Sequence, residues 1–184
     1  MYIDLILNCS FDLYMFSETW LKSCHSIPSM LGSWSNEYST IRCDRTSRLG
    51  GGLMLLIKSN LSYHIVFSES VSTGYEILIV DMIYEQTKLR ISLVYRAPSC
   101  ESLATNQLFK VITDFPTCEF SYIVIGDFNV ATINWSMSNN NYANLMHCHG
   151  LEQKISKILE EQIGSIFRSP IQMKFWTILK SAPR

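Results

Sequence analysis

The stretch "YIVIGDFN", Tyr122 to Asn129, is an apolar run that stops at Gly126 and then sets Asp127 and Asn129 on either side of Phe128. Two readings compete for it. A strand that leaves the core and turns would use Asp and Asn because their side chains bond nearby backbone groups. A chain that stays extended past Gly126 points Asp127 and Asn129 to one side and Phe128 to the core, by the two-residue period of a strand. The second reading mounts a carboxylate and an amide on the rim of a sheet. Taken alone, the stretch leaves both open, and the rest of the chain has to decide.

The chain has 184 residues, 47% hydrophobic and 17% charged, which suits one globular domain with a sizeable core. With 15 Lys+Arg against 16 Asp+Glu the net charge is -1, so any nucleic-acid binding must use a local patch and not a global positive field. Segment 42–58, with Arg42, Arg45, Arg48 and Lys58 against Asp44, is one candidate, and a solvated hairpin face explains it about as well. The longest apolar run, Leu49 to Ile57, is too short to span a bilayer and lies between Arg48 and Lys58. The start "MYIDLILNCSFDLYMF" has acidic Asp4 and Asp12 and no basic leader region, so it does not read as a signal peptide. Cys9, Cys24, Cys43, Cys100, Cys118 and Cys148 are scattered without a CxxC pair, which points to an intracellular, reducing compartment, nuclear or cytoplasmic. His147-Cys148-His149 lacks a second ligand pair at zinc spacing and reads as a loop or helix-end cluster.

Strand-like runs fill the first two thirds: "FDLYMFS" (11–17), "LMLLIK" (53–58), and "YEILIVDMIY" (75–84) with "LRISLVY" (89–95) about a polar "EQTK" turn. Leu103, Leu108, Val111, Ile112 and Phe115 then recur at helical spacing, with Ser99 or Ser102 as cap and Pro116 as stop. The buried strand 121–126 follows. A helix and a strand after a hairpin series indicate a mixed α/β layer fold. Past Gly150 an amphipathic stripe, Leu151, Ile155, Ile158, Leu159 and Ile163, allows a further helix.

Two other apolar runs also end in polar groups. "DLYMFSETW" finishes in Glu18-Thr19-Trp20, and "ISLVYRAP" in Tyr95-Arg96. Each taken singly fits a surface turn or a core ring with a wet hydroxyl. Together they gather a carboxylate, a phenol and an Asp/Asn pair at strand ends, where α/β proteins build sites. The ordered motifs "SETWL", "RLGGGLMLLIK", "SLVYRAP", "IVIGDFN" with "INW", and "GLEQ" resemble the endonuclease domain of non-LTR (LINE-like) retrotransposons, over about residues 10–155. That domain belongs to the endonuclease/exonuclease/phosphatase superfamily.

The resemblance implies a four-layer α/β sandwich (DNase I-like) and Mg²⁺-dependent hydrolysis of DNA phosphodiesters, with Mn²⁺ as an alternative ion. Glu18 would hold the metal, which needs only one or two carboxylates beside waters and phosphate oxygens. Asp127 would act as general base, and Asn129 and Tyr95 would donate to phosphate oxygens. The "GGG" at 50–52 relaxes the backbone at the start of a hairpin and is not a phosphate loop. DNA is the implied partner, and full-length relatives carry a reverse transcriptase domain.

The chain also departs from the family. An upstream strand bearing an asparagine is expected before "SETWL", and Asn8 stands too close to Glu18 to be that residue. The family closes on a strand ending in Ser-Asp-His, whereas no Asp follows Asp127 here and the last histidine is His149. The expectation is therefore a partial domain over 1–155, truncated at the N-terminus and lacking the closing C-terminal strands, with a divergent tail over 156–184 for which a helix is one reading. An impaired nuclease follows from this, with a non-catalytic remnant that binds DNA or a partner, or another superfamily phosphatase or repair nuclease, as alternatives.

Overall fold

A computed structural model describes residues 11–46, 49–84, 86–115, 119–129, 152–153 and 176–180. "LMLLIK" forms β3 (Leu53–Lys58), the centre of a three-stranded antiparallel sheet with β1 (Leu13–Ser17) on one side and β2 (Tyr38–Cys43) on the other. Its unbroken apolar character has a structural cause: Leu53, Leu55 and Ile57 face a second sheet, while Met54 and Leu56 face the outer layer. A strand covered on both faces needs no polar alternation.

The second sheet has six strands in the order β4-β5-β6-β7-β9-β8. Here β4 is Tyr63–Ser70, β5 Tyr75–Tyr84, β6 Thr87–Arg96, β7 Ser121–Asp127, β8 Glu152–Gln153 and β9 Trp176–Lys180. The expected hairpin is β5–β6, antiparallel from Tyr75↔Arg96 to Tyr84↔Thr87. β7 then joins β6 in parallel after the helix α2 (Ser102–Asp114), the crossover that a parallel pair requires. Leu78, Val80, Leu93 and Tyr95 pack toward the first sheet, and Ile77, Ile79, Val94 and Val124 pack under Leu108, Phe109 and Ile112 of α2. On the outer face of the first sheet, Leu31 of the short helix α1 (Ile27–Leu31) covers Tyr14, Phe16 and Met54. The layers run helix, sheet, sheet, helix.

Several expectations shift in detail. α2 starts at Ser102, but Glu101 is its N-cap and makes no side-chain cap bond. Leu103 is 79% exposed, and the buried face of α2 is instead Ala104, Leu108, Phe109 and Ile112. β2 and β4 carry weak sequence signals, "YSTIRC" and "YHIVFSES", because polar residues break their apolar pattern. β4 lies at the sheet edge, where half its surface meets solvent. Within the tail 156–184, where a helix was one reading and closing strands were not expected, Trp176–Lys180 forms β9 against β7. The physical reason is that β7 is an inner strand whose backbone groups need a partner on its second side. Pro116, the His147-Cys148-His149 triplet, the asparagine cluster and the stripe after Gly150 lie outside the described residues, apart from Glu152 and Gln153. Among the described residues Cys24, Cys43 and Cys100 are free thiols, and no helix is long and apolar enough to cross a membrane.

Candidate active site

Tyr95 and Asp127 are register partners in the parallel β6–β7 pair, so the two strand ends lie side by side. Glu18 follows directly on β1 of the other sheet, and the Tyr95 hydroxyl donates to its Oε1 at 2.5 Å. This hydrogen bond ties the two sheets together at one rim. Glu18 is exposed and Tyr95 is buried, so the phenol supports from below a carboxylate that faces solvent.

The question raised by "YIVIGDFN" has a composite answer. The chain stays extended through Asp127 and then turns: Asn129 has φ 45°, and its N–H donates to Asp127 Oδ1 at 3.1 Å. Phe128 is 1% exposed, its ring 5.8 Å from that of Phe109 on α2. Asn129 Nδ2 donates to the carbonyl of Arg96 at 2.9 Å, which spends one of its two amide hydrogens and leaves one for another acceptor.

Arg96, which the sequence offers as a solvated turn residue, is buried and organises this segment. Its guanidinium donates to Thr105 Oγ1 (2.9 Å) and to the carbonyls of Cys100 (3.1 Å), Phe128 (3.4 Å) and Asn129 (3.1 Å). Sequence reasoning missed it. The available signal was an arginine closing the apolar run Leu93–Tyr95, a place where a buried, fully bonded guanidinium is one of the few tolerable charges.

The three glycines do more than relax a hairpin. Gly50, Gly51 and Gly52 all have positive φ, and the carbonyls of Gly52 and Gly51 accept from Thr19 N (3.2 Å) and Trp20 N (3.0 Å). These bonds hold Glu18 at φ 52° and Trp20 at φ 57°, left-handed conformations that cost an L-residue about 1–2 kcal/mol each. Strain stored beside an exposed carboxylate is a common mark of a functional site.

The basic segment is not a free patch. Arg42 pairs with Asp44, Lys58 with Asp12, and Arg45 with Glu76; Arg48 lies outside the described residues. Arg45, expected on a solvated face or against DNA, is 4% exposed because its side chain folds inward over the end of the sheet interface.

Burial, and after it the bond to Glu18, pushes the Tyr95 phenol well above its ordinary range, while the nearby Arg45 pulls it down. Tyr95 is therefore a proton-bearing donor at any physiological pH. Among the described residues no cluster of three or more His, Cys, Asp or Glu is arranged to hold a metal. A hard divalent cation fits this rim, because an exposed carboxylate with Tyr95 fixed on one oxygen leaves the other to meet an ion that keeps most of its waters. Glu18→Gln is expected to weaken Mg²⁺ binding by at least about tenfold, in line with loss of a carboxylate ligand. Isothermal titration would measure it; equal affinity in the variant would remove Glu18 from that role.

No protein-family model matches the chain, and no curated protein matches it. Solved structures do. The endonuclease domain of TRAS1, a telomere-specific non-LTR retrotransposon, superposes with TM-score 0.57 at 10% identity, over 96% of this chain and 75% of that one. D. rerio TDP2 complexed with single-strand DNA product gives 0.56 at 14% identity, over 97% and 74%. A mannosyl-6-phosphatase of Bacteroides thetaiotaomicron gives 0.58 at 10% identity, over 98% and 75%. The fold is that of the endonuclease/exonuclease/phosphatase superfamily, a DNase I-like sandwich. The TRAS1 endonuclease domain, of the kind that the motifs resemble, shares this fold, as do the phosphatase and TDP2.

Proposed function

We propose that the Glu18–Tyr95–Asp127–Asn129 rim is a metal-assisted phosphodiester-hydrolysing site that acts on DNA. The observation that carries this reading is the Tyr95–Glu18 hydrogen bond with Asp127 as the register partner of Tyr95, which sets two carboxylates and a protonated phenol on one edge. DNA as substrate is supported by the nuclease neighbours, one of them bound to a single-strand DNA product. A bound Mg²⁺ or Mn²⁺ supplies Lewis-acid polarisation of the phosphate and charge neutralisation at the leaving oxygen. Glu18 is its carboxylate anchor. Tyr95 holds its own proton on Oη and keeps Glu18 oriented. Asp127 accepts a proton from the attacking water, with Oδ1 already fixed by Asn129 N–H. The spare amide hydrogen of Asn129 faces the charge that builds on a phosphate oxygen. Related full-length proteins couple such a domain to a reverse transcriptase, and a nuclear or cytoplasmic setting suits DNA cleavage.

In the same reading the 184 residues by themselves make an incomplete site, since within them no Asp follows Asp127 and no histidine follows His149. Loss of one preorganised donor at a phosphate costs on the order of 10² to 10³ in rate. Purified chain is expected to nick supercoiled plasmid no faster than a Glu18→Gln/Asp127→Ala control. Grafting an upstream strand that bears the asparagine and a closing strand that ends in Asp-His should restore Mg²⁺-dependent nicking, and Asp127→Ala should abolish it again. A folded chimera that stays inert on DNA while hydrolysing a sugar phosphate would assign the site to a phosphatase. Inert chimera and parent that both bind DNA would assign a binding remnant.

A further inference from the structure

Beneath Tyr95 lies an ion pair that the proposed chemistry does not use. Arg45 is 4% exposed and Glu76 is fully buried, and Arg45 Nε donates to Glu76 Oε1. Burying two charges costs several kcal/mol per ion before their attraction offsets it, so a well-packed apolar pair would often serve stability as well or better. What the pair touches suggests another use. Glu76 on β5 is the cross-strand partner of Tyr95 on β6, on the same face of the sheet. Arg45 reaches across from the loop after β2, and its Cζ stands 5.4 Å from the centre of the Tyr95 ring. Glu76 Oε2 also accepts from Gly52 N at 3.4 Å, which links the pair to the glycine loop that holds Glu18 and Trp20.

Two further observations point the same way. Arg45 Nη2 is buried and has no oxygen or nitrogen acceptor among the described residues. A guanidinium N–H left over an aromatic face is accommodated by the ring's electron density, at a reach where cation–π attraction operates. The loop above is shaped around the pair: a Cβ on Gly51 would lie 2.8 Å from Arg45 Cζ and 2.9 Å from Glu76 Oε2.

We propose that Arg45 and Glu76 form a positioning pair, in which Glu76 fixes the guanidinium plane against the Tyr95 ring and so keeps the phenol on Glu18. Neither residue touches substrate or metal. This deepens the reading of the rim as a catalytic site and rests on it for its purpose, but its geometry can be tested without activity.

The test uses the full chain with ring-labelled tyrosine, Tyr95→Phe assigning the Tyr95 resonance, together with Mg²⁺ titration. In Arg45→Met/Glu76→Leu the buried charges are replaced by apolar groups, so the melting temperature is expected to hold or rise. The Tyr95 resonance should nevertheless move, and Mg²⁺ affinity should fall by about tenfold, as for loss of a residue that orients a ligand. Glu76→Gln, which keeps an oxygen for Arg45 Nε, should retain the wild-type resonance. Arg45→Lys keeps the charge but lacks the planar fork, so it should shift Tyr95 much as the double variant does. Arg45→Lys remains informative if the double variant does not fold. A folded double variant, or a folded Arg45→Lys, with the Tyr95 signal and Mg²⁺ affinity unchanged would overturn the proposal and leave the pair merely structural. A wild-type chain that binds no Mg²⁺, yet shows the Tyr95 shift in both variants, would uphold the positioning pair and overturn the metal-dependent reading of the rim.

Discussion

Gly126→Ala is expected to strip the chain of much of its stability. Gly126 is the register partner of Val94 in the parallel β6–β7 pair, and a Cβ there would lie 1.9 Å from Val94 O, 2.7 Å from its C and 2.9 Å from its Cα. All three contacts are backbone, and β6 cannot retreat because its far side is bonded to β5 along ten residue pairs. The overlap must be relieved by breaking the β6–β7 ladder or by tearing β7 from α2, at a cost above about 4 kcal/mol. A domain at the lower end of the usual margin of about 5–15 kcal/mol keeps little stability after such a loss. Circular dichroism melts would measure the loss. Gly32→Ala is the control: it has φ 58° and ψ -132° but nothing within 4 Å of the added carbon, so it pays backbone strain of about 1–3 kcal/mol and no overlap. A Gly126→Ala chain that melts like wild type would mean that β6 and β7 do not pair in this register.

Arg96→Met should be the next most damaging change at the rim, and it separates stability from site geometry. Methionine fills much of the volume, but the Thr105 hydroxyl and the carbonyls of Cys100, Phe128 and Asn129 lose their shared donor. Thr105 keeps its bond to the Glu101 carbonyl, so the cost falls on the carbonyls that lose this donor, at roughly 1–3 kcal/mol for a buried acceptor, and a net loss of roughly 3 kcal/mol is expected. The loss is concentrated where Asp127-Phe128-Asn129 leaves β7. Hydrogen exchange at Asn129 N–H, which is bonded to Asp127 Oδ1, should accelerate by more than the roughly hundredfold that such a global loss gives amides in the β5–β6 hairpin, because local opening of the segment adds to it. Arg96→Lys should rescue little, because one ammonium cannot reach acceptors that a planar fork serves together. Uniform acceleration across both regions would show that Arg96 supports the domain as a whole and not this segment.

Much of the architecture was legible because its signals are local. The β5–β6 hairpin showed as two apolar runs about a polar turn, and β7 as an apolar run with Phe128 returning to the core. The β3 run could be read as a strand, but its two buried faces are a property of the layers on either side. β2 and β4 escaped notice because an edge position lets solvent-facing polar residues dilute the pattern. β9 escaped because its place is set by the vacant side of β7, far away in sequence. Leu103 was misplaced for a related reason: helical spacing locates a stripe only to within a residue or so, and packing against β5 and β7 chose Ala104, Leu108 and Phe109.

The site divides along the same line. The residue types at the strand ends are written in the sequence: Glu18, Tyr95, Asp127 and Asn129 each close an apolar run, and period-two geometry sends Phe128 inward. Their meeting is tertiary. Glu18 belongs to one sheet and Tyr95 to the other, and only the face-to-face packing of the two sheets brings a phenol to within hydrogen-bond reach of that carboxylate. Arginines show the limit most clearly, because a guanidinium is charged wherever it lies and its sequence context does not say whether it is solvated or paired. Arg45 and Arg96 read as surface charges along the chain, and became buried struts because Glu76, the Tyr95 ring and a set of carbonyls from distant segments were waiting where the fold placed them. Sequence determined which groups stand at the ends of the strands; the packing of the two sheets decided which of them face each other.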